Sequence, residues 1–227
     1  MDKVTICTSW DAKGRYTADF VNRLYNSCRR NTTHDFDFVL FAGADVRGKE
    51  DQLNKEIIVV QTDLEYWWPG MLFWMHRPPR VGTKTKLFFD LDVVIVGNID
   101  KIIEWPSFHC YSTDWPPVMA PPGHEADANP GFTLLREGAD SYVWDEYVRA
   151  DMPNYNPAGE RGALPMAAQG IINDSGKDYD LFPYHLCPSY KLYVQKRGLP
   201  EGCVAVHFHG APLQDDVNES WVKEHWR

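Results

Sequence analysis

Apolar runs separated by short polar breaks organise this chain. KVTICT at 3–8, FDFVLFA at 36–42 and EIIVV at 56–60 read as strands, the second of them ended by Gly43. Between the first two, Phe20, Val21, Leu24, Tyr25 and Cys28 recur at helical spacing. A helix is therefore predicted over 17–30, with Thr17 as N-cap and Arg29 and Arg30 in the last turn. Strand, helix, strand in this order predicts a right-handed βαβ unit in a largely parallel sheet. Further on, the aromatic stretch 64–76 predicts a short helix after the break at Pro69–Gly70. Strands are expected at 108–112, 132–136 and 203–209, and helices at 140–150, 163–173 and the C-terminal VNESWVKEHWR. The Pro-rich segment 115–130 is longer than a simple connection needs, as functional loops often are. One α/β domain over 1–227, a mainly parallel sheet flanked by helices, follows.

The stretch KLFFDLDVVIVGNID, 86–100, carries the clearest chemical signal. Its apolar run stops at Asp90 and Asp92 and resumes at Val93. In an extended segment side chains alternate between faces, so both carboxylates are expected to point the same way and to close on one divalent cation. Without a counter-charge, two carboxylates this close repel and one tends to protonate. In a mainly parallel sheet, ligands collect at the carboxyl ends of the strands. Thr8, Asp90, Asp92 and the imidazoles of His207 and His209 all fall at such ends.

Composition narrows the classes. A 44% hydrophobic and 24% charged chain is neither disordered nor fibrous. Nine Trp and eleven Tyr tilt mildly towards sugar handling, where flat apolar faces are useful. The formal net charge of −9 disfavours a broad grip on nucleic acid. Five Cys without a CxxC pattern predict reduced thiols and no zinc knuckle. With no leader-like opening and no apolar stretch long enough to span a bilayer, a cytoplasmic protein without membrane insertion is expected.

FFDLDVVIVGNID, followed by Asn129-x-Gly131, QGIIN at 169–173 and HFHG at 207–210, resembles the glycogenin-like glycosyltransferases of family 8 and their relatives. The resemblance covers nearly the whole chain, and its DxD segment is the most specific part. It implies a GT-A (Rossmann-like) fold, a nucleoside diphosphate-sugar donor such as a UDP-sugar, Mn²⁺ or Mg²⁺, and retention of anomeric configuration. Carried over, Asp90 would touch the metal and the donor ribose, while Asp92 and His207 would hold the metal. Thr8, Trp10 and the loop to Tyr16 would cradle the nucleotide, with Gly210 also at the donor. Asn129 and Gln169 would face the transferred sugar. His209 is the rival of His207, since both fall on one strand face by alternation.

Three positions depart from the family pattern: Leu213 and Gly70 stand where lysines are expected, and Ala168 where a carboxylate is expected. The cation balancing the donor diphosphate must come from elsewhere, with Lys84, Lys86, Lys191, Lys196 and Arg197 as candidates. The acceptor could be a glycan, a protein or a hydroxylated DNA base. For DNA, a patch of Arg23, Arg29, Arg30, Arg77, Arg80, Lys84 and Lys86 would have to offset the net charge.

Two other readings stay open. An apolar strand ending in DxDxV also resembles the nucleophile motif of haloacid dehalogenase-type phosphatases, with Asp90 as phosphoryl acceptor. Against it, a complete strand-helix-strand precedes the motif. The second is a non-catalytic nucleotide-sugar or glycan-binding module.

Overall fold

The computed structural model describes residues 3–64, 68–75, 77–82, 84–113, 115–116, 120, 127–137, 139, 142–149 and 167–227. Among the described residues, nine strands form two sheets. The larger takes β1 (Val4–Trp10), β2 (Phe36–Ala42), β3 (Ile57–Gln61), β4 (Thr85–Phe89), β6 (His109–Ser112), β7 (Asn129–Arg136) and β8 (Asp180–Leu181) in the order β3-β2-β1-β4-β7-β6-β8. Its β1–β2, β1–β4, β2–β3 and β6–β8 pairs are parallel, whereas β7 runs antiparallel to both neighbours. The smaller sheet pairs β5 (Val93–Ile95) with β9 (Ala205–His207), antiparallel.

The helices are α1 (Ala18–Arg30), α2 (Asp100–Ile103), α3 (Tyr142–Arg149), α4 (Ala167–Asp174), α5 (Gln195–Arg197) and α6 (Ser220–His225). A π-helical turn, Tyr190–Val194, leads into α5. Helix α1 forms as its periodicity predicts, burying Phe20, Val21, Leu24, Tyr25 and Cys28, with Asp19 and Arg29–Arg30 at the dipole ends that suit them. Thr17 is the N-cap residue, but its side chain makes no capping hydrogen bond.

The sheet separates two apolar cores, which is why β1 and β2 are buried on both sides. One core gathers α1, β5, β9 and the tail residues Val222 and Trp226. The other gathers the 3₁₀ segment Trp68–Trp74 with residues of α3 and α4.

Three differences from the sequence reading bear on the site. The apolar stretch through 86–100 is not one strand: it breaks at the two carboxylates, leaving β4 in one sheet and β5 in the other. Asp90 and Asp92 therefore converge through a turn, closed by Val93 N–H on the Asp90 carbonyl at 3.1 Å, and not through strand alternation. The last strand stops at His207, short of the expected 209, because His209 (φ 51°) and Gly210 (φ 83°) adopt left-handed backbone. Helix α4 covers 167–173 of the predicted 163–173, the earlier residues lying outside the described ones, as does most of the 115–130 loop. The five cysteines form no disulfide.

Candidate functional site

At the carboxyl end of β1, the buried Thr8 hydroxyl donates to the Phe89 carbonyl at 2.7 Å, tying the end of β4 in place. The turn that follows is pinned residue by residue. Asp90 N–H donates to the Gly131 carbonyl at 2.8 Å, the Gln214 amide donates to the Leu91 carbonyl at 2.9 Å, and Phe208 N–H donates to the Asp92 carbonyl at 3.0 Å. These bonds satisfy the backbone of a buried reversal and fix where both carboxylates point. Asp90, Asp92 and His207 offer ligand atoms that all lie within 4.8 Å of one another.

His207 Nε2 is 2.9 Å from Asp92 Oδ1, with Asp92 and His207 only 8% and 4% exposed. The second Asp92 oxygen accepts from the Tyr16 hydroxyl and the Gly210 N–H, both at 3.2 Å. Burial alone would push the Asp92 carboxyl up. The adjacent His207, with His209 and the Gly210 N–H, outweighs this and holds it below the usual carboxylate range. The His209 ring centroid is 3.9 Å from that of His207, though the left-handed turn takes His209 off the strand. The Lys191 ammonium donates to the His209 carbonyl at that turn.

Room for a ligand is set by glycine. A Cβ on Gly131 would stand 2.5 Å from Asp90 Oδ2, 2.6 Å from His207 Cε1 and 3.0 Å from Asn129 Oδ1. Asn129 Oδ1 accepts from Gly131 N–H at 2.7 Å, so the Asn-x-Gly segment is a small closed turn against the carboxylates. Two carboxylates and one imidazole converging on this cradle fit a hard divalent cation such as Mn²⁺ or Mg²⁺.

Two cavities meet here. The first, of ≈ 430 Å³, is lined by Asn129, Gln169, His207 and Gly210 together with the apolar Met71, Trp74 and Phe88. The second, of ≈ 530 Å³, follows the loop from Trp10 to Tyr16. Ser9, Arg15, Asp90 and Asp92 line both. Trp10 Nε1 donates to the Tyr16 carbonyl at 2.9 Å and shapes that loop.

This architecture has counterparts of known structure. The galactosyltransferase LgtC, solved with donor and acceptor sugar analogs, superposes with a TM-score of 0.64 at 11% identity, over 92% of this chain and 88% of LgtC. The chain has the GT-A glycosyltransferase fold. A glycosyltransferase involved in glycosylation of the major capsid of PBCV-1 gives a TM-score of 0.54 at 13% identity, over 92% of this chain and 94% of the other. Mouse xyloside xylosyltransferase 1 gives 0.58 at 14%, over 92% and 98%. No protein-family model and no curated relative matches. At these identities the likeness concerns the GT-A fold, and the chemistry must be argued from the side chains.

Of the residues singled out in the sequence, the structure brings Asp90, Asp92, His207, Asn129, Gln169, Gly210, Trp10 and Tyr16 to the two cavities. Thr8 lines neither, being buried in its bond to β4. Lys86 is also off the cleft: its ammonium donates to the Phe73 carbonyl at 3.2 Å and lies 5.2 Å from the Phe73 ring centroid. Lys84 lines a third cavity with Arg136 and Glu137, and Arg197 stacks on Tyr193. The departure at Gly70 has a packing reason, since a Cβ there would stand 3.0 Å from Ser9 Oγ and 3.3 Å from Phe88. Gln214 was not anticipated, and Arg15 was expected only as part of the loop to Tyr16 and not as a charge at the carboxylates. Neither sits in an informative local pattern, and only the fold carries them to the turn.

Proposed function

We propose that this chain is a retaining glycosyltransferase that moves a sugar from a nucleoside diphosphate, read as a UDP-sugar, to an acceptor hydroxyl with the help of Mn²⁺ or Mg²⁺. The observation that carries the reading is the convergence of Asp90, Asp92 and His207 where two cavities join. One cavity is shaped for a nucleotide by Trp10 and Tyr16, and the other has Asn129 and Gln169 for a sugar. A phosphatase reading finds less support: next to its carboxylates the turn carries an imidazole contact and two cavities.

Asp90, Asp92 and His207 would hold the cation. When bound, it supplies Lewis-acid stabilisation of the charge that develops on the departing diphosphate. The Tyr16 hydroxyl and the Gly210 N–H fix one Asp92 oxygen, leaving its partner directed at His207. Met71, Trp74 and Phe88 form an apolar wall that limits water around the sugar. Among the described residues, the carboxylates lining the sugar-side cavity are Asp90 and Asp92, both committed to the cation. Gln169 is then read as a group that positions the sugar and not as a covalent nucleophile; with retention, which the family resemblance implies, attack would come from the front face.

The acceptor is a glycan, a protein or a hydroxylated DNA base. Ion pairing of Arg23 with Asp19 and Asp215, and the buried position of Lys86, weaken the basic patch that DNA would need. The test is release of nucleoside diphosphate from a panel of nucleotide-sugars with Mn²⁺. One donor should be consumed, and EDTA or Asp92→Asn should lower the rate by about 100-fold or more. Binding of nucleotide-sugar without turnover, with every acceptor class supplied, would favour a non-catalytic module and sink the enzyme reading.

A further inference from the structure

The site as described has an electrostatic gap. Two carboxylates, a dication and a donor diphosphate leave roughly two negative charges in excess, a costly state in a partly buried cleft. Leu213 and Gly70 stand where the related pattern would place lysines, and a Cβ on Gly70 would already stand 3.0 Å from Ser9 Oγ. Of the lysines and arginine first considered as substitutes, Lys84, Lys86, Lys196 and Arg197 line neither cavity, and Lys191, which also lines neither, donates from its ammonium to the His209 carbonyl at the edge of the first.

Among the described residues, the cations lining those cavities are Lys13 and Arg15. Lys13 borders only the nucleotide side, where it is ion-paired with Asp45 at 3.1 Å. Arg15 borders both, together with the two metal-ligating carboxylates. Its guanidinium lies over the Tyr16 ring at 5.3 Å, the ring whose hydroxyl donates to Asp92. It also lies against Gly210, where a Cβ would come 3.1 Å from Nη2, in left-handed backbone with φ 83°. The left-handed turn at His209–Gly210 thus leaves space that the guanidinium fills.

From this placement, and resting on the glycosyltransferase reading above, we infer that Arg15 is the diphosphate-binding residue of this site. Its planar fork, presented at the junction of the nucleotide and sugar cavities, suits two oxygens of a diphosphate. It supplies from the first loop the charge that relatives are expected to draw from a lysine near the C-terminal end. Balancing the leaving group, Arg15 should matter more for the terminal phosphate than for the nucleoside.

The test is calorimetric, with Mn²⁺ present: UDP, GDP, ADP and CDP are titrated into the full chain, and the diphosphate that binds is compared with its own monophosphate. Arg15→Gln should weaken the diphosphate by about tenfold or more while changing the monophosphate by no more than about threefold, and Arg15→Lys should recover part of the loss. Equal weakening of both nucleotides, or no weakening of either, overturns the assignment while leaving the transferase reading intact. If wild-type protein binds none of the four diphosphates, the transferase reading itself fails and the role of Arg15 with it. Arg15 is exposed on a loop, so a folding defect is not expected, and circular dichroism of the Gln variant checks this.

Discussion

Gly131 lacks a side chain at a point where Asp90 Oδ2, His207 Cε1 and Asn129 Oδ1 crowd the position a Cβ would take. These are ends of side chains, so in Gly131→Ala the functional groups would move before the backbone does. The expected result is a melting temperature lowered by only a few degrees with turnover reduced about 100-fold, read by thermal denaturation beside the nucleotide-release assay. At this scale the sequence was informative about residue type and order: Asp90, Asp92, His207, Asn129 and Gln169 could all be named as candidates before the fold was known, and all five line the first cavity. It was uninformative where placement decides. Arg15 is one arginine in a polar loop until the fold sets it between two cavities, and Gln214 looks like a surface residue until its amide is seen on the Leu91 carbonyl.

Strand β4 shows how an element misleads when its direction is right and its ends are not. Lys86 and Asp90 are four residues apart, but the strand buries Lys86 against Phe73 while the turn beyond it swings Asp90 into the cleft. Burial lowers the Lys86 pKa from its usual value. The folded state therefore releases this proton at a lower pH than the unfolded chain. Between the lowered value and the ordinary one, about 10.4, the unfolded chain binds more protons and stability rises with pH. Lys86→Met removes the cost of burying the charge. It should be at least as stable as wild type near neutral pH, with the difference shrinking as the pH approaches about 10, as urea midpoints would show. Donor turnover in this variant should stay within about twofold of wild type, since Lys86 touches neither cavity. The apolar run that reads as one long strand is in fact two, because two carboxylates in succession cannot be buried inside a sheet and the chain turns at them instead.

Across the whole molecule, the candidate site is a seam between sheets. Asp90 follows β4, and Asn129 and Gly131 open β7 of the seven-stranded sheet, whereas Asp92 precedes β5 and His207 ends β9 of the two-stranded one. A cation held by Asp90, Asp92 and His207 would fasten one sheet to the other. Mn²⁺ at a hundredfold excess over its Kd should add about 2.7 kcal/mol, raising the melting temperature by roughly 5–10 °C. A thermal shift that disappears with EDTA and in Asp92→Asn would verify it, and no shift at any Mn²⁺ concentration would count against the ligand set. The α/β class, the parallel early strands and the single dominant sheet were legible from periodicity. The two-stranded sheet was not, because β5 and β9 are three residues each and lie far apart in the chain.

That distance shapes the order in which the molecule can be built. Asp92 and His207 are 115 positions apart, while β1, α1 and β2 associate through near neighbours. Closing so wide a loop gives up chain freedom that only an already collapsed core can offset, so the β5–β9 pair belongs to the late steps of folding. The convergence of Asp90, Asp92 and His207 is expected only when folding is complete, and a cation bound there would enter a finished molecule instead of templating an unfinished one.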